Sequence, residues 1–310
     1  MLDDLTTEAI NENSAAIDSL SIKADLAEDD AVAALPPQLQ QFVREFDLSG
    51  ALDVSAAGSV DANDLSSNSL SLLVELTEGN FASGEYQLPV SRLVLEATLQ
   101  SMVAEVTRLD VETLGGTVRV TDARADLSVP EMPVAAEWTI DGLQLREALR
   151  TGGGENPRMA GNVSGGGRME SSLIDFLSSI DGDGIVSITE GRLTSGPVLS
   201  SLLAVANIAG TVRGRDPRYT DSLKSEFIIQ PAGLDLQSLE LSLPVAKFNG
   251  TGLLGFDGGI DLRMRGGAVE KIPVVGDLAG RVTGRLVEYR VTKEPGGRVS
   301  VRVNPLGIGG

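Results

Sequence analysis

Residues 222–264 read SLKSEFIIQPAGLDLQSLELSLPVAKFNGTGLLGFDGGIDLRM, and this stretch decides the fold. Apolar residues recur at every second position: Phe227 and Ile229, then Leu234 and Leu236, then Leu239, Leu241, Leu243 and Val245, then Ile260, Leu262 and Met264. Gly, Pro or Asp-Gly separates the runs. Successive side chains of a strand point to opposite faces, so the pattern describes short antiparallel strands, apolar on one face and polar on the other. What the apolar face covers becomes the functional question.

The same pattern extends outward. Leu52 and Val54, then Leu70, Leu72, Val74 and Leu76, then Leu93, Leu95, Ala97 and Leu99 predict strands, with a turn at Glu78-Gly79-Asn80. Val118 and Val120, Leu127 and Val129, Trp138 and Ile140, and Leu143 and Leu145 continue the series, as in an antiparallel meander. Crossover helices are not interleaved, which argues against a parallel α/β sheet. Residues 1–34 read as a ragged strand region carrying Ile17, Leu20, Ile22 and Leu26. Residues 35–48 predict a short amphipathic helix opened by Pro36 and Pro37. Residues 151–167, TGGGENPRMAGNVSGGG, predict a flexible loop and a boundary. Beyond it, Met169, Leu173, Phe176, Leu177 and Ile180 fit one helical face, IVSITEGRL a strand, and VLSSLLAVANI a second helix. PVVGDLAGRVTGRL fits a helix or a strand, and Val299, Val301 and Val303 alternate at the end. The tripeptides Leu88-Pro89-Val90, Met132-Pro133-Val134, Leu243-Pro244-Val245 and Ile272-Pro273-Val274 mark strand ends, bulges or edges, because proline cannot donate to a ladder. The expected class is mainly β: one long curved antiparallel sheet with a few short helices.

Composition narrows the chemistry. The 310 residues carry a formal net charge of −19, which opposes nucleic acid and gives no attraction to anionic headgroups. With neither His nor Cys, the chain has no His-based triad, thiolate chemistry or disulfide. Aromatic residues make up only 4%, too few for a stacking platform. Residues 1–30 lack the basic and apolar regions of a secretory signal, and no stretch is long and apolar enough to span a bilayer. Carboxylate pairs such as Asp3/Asp4 and Glu28/Asp29/Asp30 read as solvated, and Gly152–Gly154 and Gly165–Gly167 lack the Lys-Ser/Thr of a phosphate loop. Ser179–Glu190 superimposes on a calcium-loop pattern with Asp181, Asp183 and Glu190 at ligand positions. Against it stand a Ser at the first position and the absence of a helix after Glu190; a Gly-rich hairpin turn leading into a strand fits better.

The ordered set IVSITEGRL, VLSSLLAVANI, TDSLKSEFIIQPAGL, then FNGTGLLGFDGGIDLRM and the closing RVTGRLVEYRV…VRVNPLG resembles the C-terminal domain of AsmA-like proteins, relatives of TamB and YhdP. Residues 35–150 resemble the preceding repeats of that family, notably in LPPQLQQFV and LPVSRLVLEATLQ. The resemblance implies a U-shaped β-groove, divided as 1–34, 35–150, 151–167 and 168–310 within one continuous sheet. It also implies a non-enzymatic protein that binds or conducts lipid in the periplasm or cell envelope, anchored to the inner membrane by a segment outside this chain. The partners implied are a phospholipid or other acyl-chain lipid, with envelope membrane proteins at either end; no cofactor, metal or nucleic acid is expected. Fifteen strands at ~4.8 Å give a sheet of roughly 70 Å, short for bridging two membranes, so the chain is expected to be a fragment or to need partners. The expected groove lining is Phe227, Ile229, Leu234, Leu236, Leu239, Leu241, Leu243, Ile260 and Leu262, with Leu72, Val74 and Leu95 from the earlier region. A closed sandwich, in which the apolar face is only core, is the alternative.

Overall fold

The computed structural model describes residues 14–35, 40, 43–44, 47–61, 64–83, 86–151, 158–206, 220–244, 246–268 and 287–304. Its fifteen strands pair in sequence order, β1 to β15, in an antiparallel sheet that does not close. They are β1 (Ser14–Asp25), β2 (Ser49–Asp61), β3 (Ser69–Ser83), β4 (Tyr86–Gln100), β5 (Val103–Thr113), β6 (Gly116–Asp126), β7 (Pro133–Gln144) and β8 (Ala160–Ser172). Then follow β9 (Asp181–Arg192), β10 (Asp221–Gln230), β11 (Gly233–Leu243), β12 (Ala246–Gly255), β13 (Ile260–Ala268), β14 (Val287–Lys293) and β15 (Ser300–Asn304). The α-helices are short: α1 (Asp29–Ala33), α2 (Leu145–Thr151), α3 (Phe176–Ser179) and α4 (Pro197–Val205), and a 3-10 turn spans Leu65–Ser67. The mainly-β antiparallel architecture expected from the alternation is therefore the one found.

The chain forms two compact units. The first comprises Met1–Asn156 with Gly166–Ile180, the second Pro157–Gly165 with Asp181–Gly310.

In the first unit, hairpins follow from backbone permissiveness at the turns. Ser101 and Met102 both have positive φ (48° and 65°), as do Leu114 and Gly115 (50° and 76°). Two such residues make the tight turn whose twist matches that of the strands it joins. Bulges interrupt the ladders without ending strands. Glu78 (φ 52°) lies where β2 and β3 shift register, and Asp122 (φ 50°) where β6 and β7 do. The expected turn at Glu78-Gly79-Asn80 is thus a bulge, and β3 runs on to Ser83, paired with Tyr86. A bulge inserts one residue and flips the phase of everything after it. That explains why β5 is invisible as a simple alternation: Ala104 and Val106 are in one phase, Leu109 and Val111 in the other.

Four further expectations are corrected. Gly161 to Gly167 lie inside strand β8, where ladder hydrogen bonds outweigh the flexibility of glycine. Met169 to Ser172 complete that strand, leaving only Phe176–Ser179 helical. Leu145 opens α2 instead of extending a strand. Asp181-Gly182-Asp183-Gly184 form the start of strand β9, neither a calcium loop nor a hairpin turn. The proline tripeptides that are described fall where the missing donor is tolerated. Pro89 precedes the β4–β5 register shift at Val90, Pro133 opens β7, and Pro244 follows β11 in the turn. Of the helix expected over residues 35–48, Gln40, Val43 and Arg44 are helical and most of the rest lies outside the described residues, as does PVVGDLAGRVTGRL. The helix expected from VLSSLLAVANI is present as α4, with Pro197 at its first turn, where a missing N–H costs nothing.

Candidate functional site

In the first unit, registration assembles the alternating apolar residues into continuous cross-strand rows. One row runs Ile22–Val54–Val74–Leu95–Leu109–Val120–Trp138, a direct neighbour from each of seven consecutive strands. On one side lies Ala24–Leu52–Leu76–Leu93–Val111–Val118–Ile140. On the other lies Leu20–Ala56–Leu72–Ala97–Val106–Ala123, and beyond it Gly58–Leu70–Leu99–Ala104–Ala125–Val134. Every bulge falls so that the phase flip keeps apolar residues on this face. Adjacent rows are two residues apart, so the face measures roughly 20 Å along the strands and roughly 29 Å across seven of them.

This face is only partly shielded. Val54, Leu72, Val74, Leu95, Leu109, Val120 and Trp138 are all partly exposed. One margin is covered: Leu26, Val32, Leu35 and Val43, on and around α1, pack against Leu76 and Val90 in a compact buried cluster. The C-terminal helix of the β1–β7 run, α2, also contacts β4 and β7. The opposite margin carries the turns between strands, with a 3-10 turn at Leu65–Ser67 and α3 among them. Backbone hydrogen bonds stitch these turns together, from Ser101 N–H to Asn68, Leu127 N–H to Met102 and Leu173 N–H to Met132. The reverse face is polar. Lys23 pairs with Asp53 at 2.7 Å, Arg92 with Glu75 at 3.2 Å, and Arg108 with Asp110 at 2.8 Å. Such exposed pairs are individually worth little, but they fix which face meets water.

The second unit uses the same alternation differently. The rows Leu223–Leu241–Phe248–Gly266 and Phe227–Leu236–Gly252–Leu262–Val291 cross β10 to β14. Here the middle of the face is buried. Leu241 and Met264 are 1% exposed, and Phe248 and Val291 are fully buried. Large side chains alternate with glycine across the sheet. A Cβ on Gly266 would lie 2.8 Å from the Phe248 ring and 2.1 Å from the Lys247 carbonyl, so only glycine fits beneath that ring. Phe248 in turn meets Tyr289 edge-on, with centroids 5.9 Å apart. Burial pushes the Tyr289 phenol pKa up. Leu202 and Leu203 of α4 are buried as well, and α4 contacts β14 and β15. Buried Asp221 accepts a 2.8 Å hydrogen bond from the Leu193 N–H.

The residues expected to line a groove therefore separate into two environments. Leu72, Val74 and Leu95 sit together on the partly exposed face of the first unit, Val74 and Leu95 as direct neighbours. In the second unit, Phe227, Ile229, Leu236, Leu239, Leu241, Leu243 and Leu262 are buried in protein, while Leu234 and Ile260 are partly exposed. The sequence reading found the alternation of β2, β3, β4, β6 and β7 but assigned only Leu72, Val74 and Leu95 to the groove, and it missed Leu109 and Val111 of β5. Reading each side of the Thr107-Arg108 bulge separately would have found them.

The calcium-loop residues do not converge. Asp181, Asp183 and Glu190 are strung along one extended strand, so the first and last are roughly 30 Å apart, against ligand distances of about 2.4 Å for calcium. Glu190 also accepts a hydrogen bond from Asn162 on β8. Among the described residues, no group of three or more Asp or Glu side chains is gathered as a metal site requires. Among the described residues no helix is long and apolar enough to cross a membrane. No protein-family model, curated protein or solved structure matches the chain.

Proposed function

We propose that this chain is a non-enzymatic lipid-binding protein whose first unit holds acyl chains against its apolar sheet face. The observation that carries the reading is the set of four apolar rows spanning β2 to β6, partly exposed everywhere except at Leu76 and Ala125. Across β2 to β6 the four rows cover roughly 20 by 19 Å, within the range of apolar patches that soluble monomers leave uncovered. An acyl chain, about half of a ~30 Å hydrocarbon core in length, fits within it. Apart from the Trp138 indole N–H the four rows carry no polar side chain, and the chain supplies no His or Cys, so the reading is binding and transfer rather than catalysis. The likeness to AsmA-like sequences supports the same conclusion and extends it to lipid transport in the cell envelope, with a phospholipid as cargo and membrane proteins as partners.

A second reading is favoured by the second unit. Its buried Leu241, Phe248, Met264 and Val291 are what a structural β-domain with a dry core would have. The two readings assign different roles to the units: acyl binding to the first, a stable anchor to the second. The test is lipid analysis of the purified full chain by mass spectrometry, followed by delipidation and titration with a fluorescent fatty acid. Co-purifying phospholipid and saturable uptake are expected. A delipidated protein that takes up no acyl probe would overturn the acyl-binding reading and leave the structural one.

A further inference from the structure

The turn between β8 and β9 combines two properties that rarely occur together. Four of its side chains are large, apolar and open to solvent: Leu173 is 47% exposed, Ile174 61%, Phe176 37% and Leu177 69%. Beside it, Val129 in the β6–β7 turn is 37% exposed. Exposed apolar groups this close together mark an interaction site more often than chance.

The second property concerns the polar groups of the same turn, which are bonded to one another. The Ser171 hydroxyl donates to the Phe176 carbonyl, and the Ser172 hydroxyl to the Glu131 carbonyl. The Ser178 and Ser179 N–H groups and hydroxyls all reach the Asp175 carbonyl. The Ser172 N–H donates to the Ser179 hydroxyl, the Ile174 N–H to the Ser172 hydroxyl, and the Leu173 N–H to Met132. Water would satisfy these groups at no cost. Internal satisfaction is what a segment needs if it enters a medium that cannot hydrogen-bond.

We propose that this tip, with the β6–β7 turn beside it, docks on a lipid bilayer and inserts Ile174, Phe176 and Leu177 into the interface. The bilayer is one of neutral or zwitterionic headgroups. No Lys or Arg occurs between Ala125 and Ala136 or between Met169 and Gly191, and Glu131 and Asp175 flank the site. Attraction to anionic lipid is therefore absent, and attachment comes from apolar burial alone. The tip lies on the margin of the first unit that the inter-strand turns form, opposite the margin covered by α1. Docking there brings the bilayer to the open side of the apolar rows. The proposal goes beyond acyl binding and does not require it.

The test is flotation of the full chain with vesicles of phosphatidylcholine and phosphatidylethanolamine. Binding is expected and persists at high salt, because no ion pair holds it. The double variant Ile174→Asp with Leu177→Asp alters solvent-exposed positions, so its melting transition stays unchanged while vesicle binding falls about ten-fold or more. Because the chain has no cysteine, Leu177→Cys carries a single environment-sensitive dye. Its emission shifts to the blue on adding vesicles, and that of Thr121→Cys on the polar face does not. Failure to float, unchanged binding of the double variant, or an unshifted dye at position 177 overturns the proposal. So does a vesicle-independent dimer that the double variant dissolves, which would make a second copy the occupant. Fatty-acid uptake measured without vesicles separates this outcome from failure of acyl binding.

Discussion

The two units spend the same sequence pattern in opposite ways. Both present rows of apolar residues on one sheet face, delivered by period-two alternation. In the second unit the middle of the face is closed off, with Phe248 and Val291 fully buried. In the first, apart from the margin beneath α1, the corresponding rows stay partly exposed. Alternation shows which face avoids water, and the cover decides whether that face is a core or a surface. Glycines in the rows of the two units differ. Gly250 lies against the Met264 side chain and Gly266 against the Phe248 ring, whereas the first unit's central row, from Ile22 to Trp138, contains no glycine.

The largest expected consequence is in stability. Phe248→Ala removes a fully buried ring and its edge-on contact with Tyr289, and should cost about 3–5 kcal/mol. Leu95→Ala, on the partly exposed face, should cost about 1 kcal/mol. Denaturant unfolding of both variants checks the contrast, and equal losses would erase it. Next in size is Gly266→Ala, whose added methyl group collides with the Phe248 ring and the Lys247 carbonyl; about 1–3 kcal/mol should be lost. A Gly266→Ala protein as stable as the wild type would mean that the ring is not pressed against the sheet.

On the binding side, Val74→Thr keeps volume but places a hydroxyl in the middle of the central row. Fatty-acid affinity, measured by fluorescence titration, should fall several-fold, with a smaller effect on the melting temperature. Unchanged affinity would move the acyl site away from the first unit.

The smallest effect is electrostatic. Arg290 donates twice to Asp261, at 3.1 and 2.8 Å, and this hydrogen bonding holds the Asp261 carboxyl below its usual pKa. The folded carboxyl therefore gives up its proton more readily than the unfolded one. The stabilisation is fully present above the unfolded value of about 3.9 and disappears as pH falls through the lower folded value. For an exposed pair it is worth a few tenths of a kcal/mol. Asp261→Asn should thus lower stability slightly at pH 6 and not at pH 2, as read from paired denaturation curves.

Much of the fold was legible because strand periodicity is a local signal. Runs such as Leu70–Leu76 and Leu93–Leu99 announce both the strand and its buried side. What the sequence hid was non-local. The phase flip at Thr107-Arg108 concealed β5, and the glycines of β8 read as a loop because their ladder partners lie on β7 and β9. The apparent helix over Met169–Ile180 arose because a strand end and a tip placed apolar residues at helical spacing by accident. The candidate site was legible as a face but not in its location. Phe227 to Leu243 had the sharper alternation, yet all of their alternating apolar positions but Leu234 are buried, and the exposed rows lie where bulges blur the pattern.

The central claim is that acyl chains contact the first unit's face and not the second unit's interior. A photoreactive amino acid placed at Leu95 in one protein and at Leu241 in another, each exposed to phospholipid and irradiated, tests it directly. The account predicts lipid adducts at position 95 and none at 241; adducts at 241 with none at 95 would contradict it.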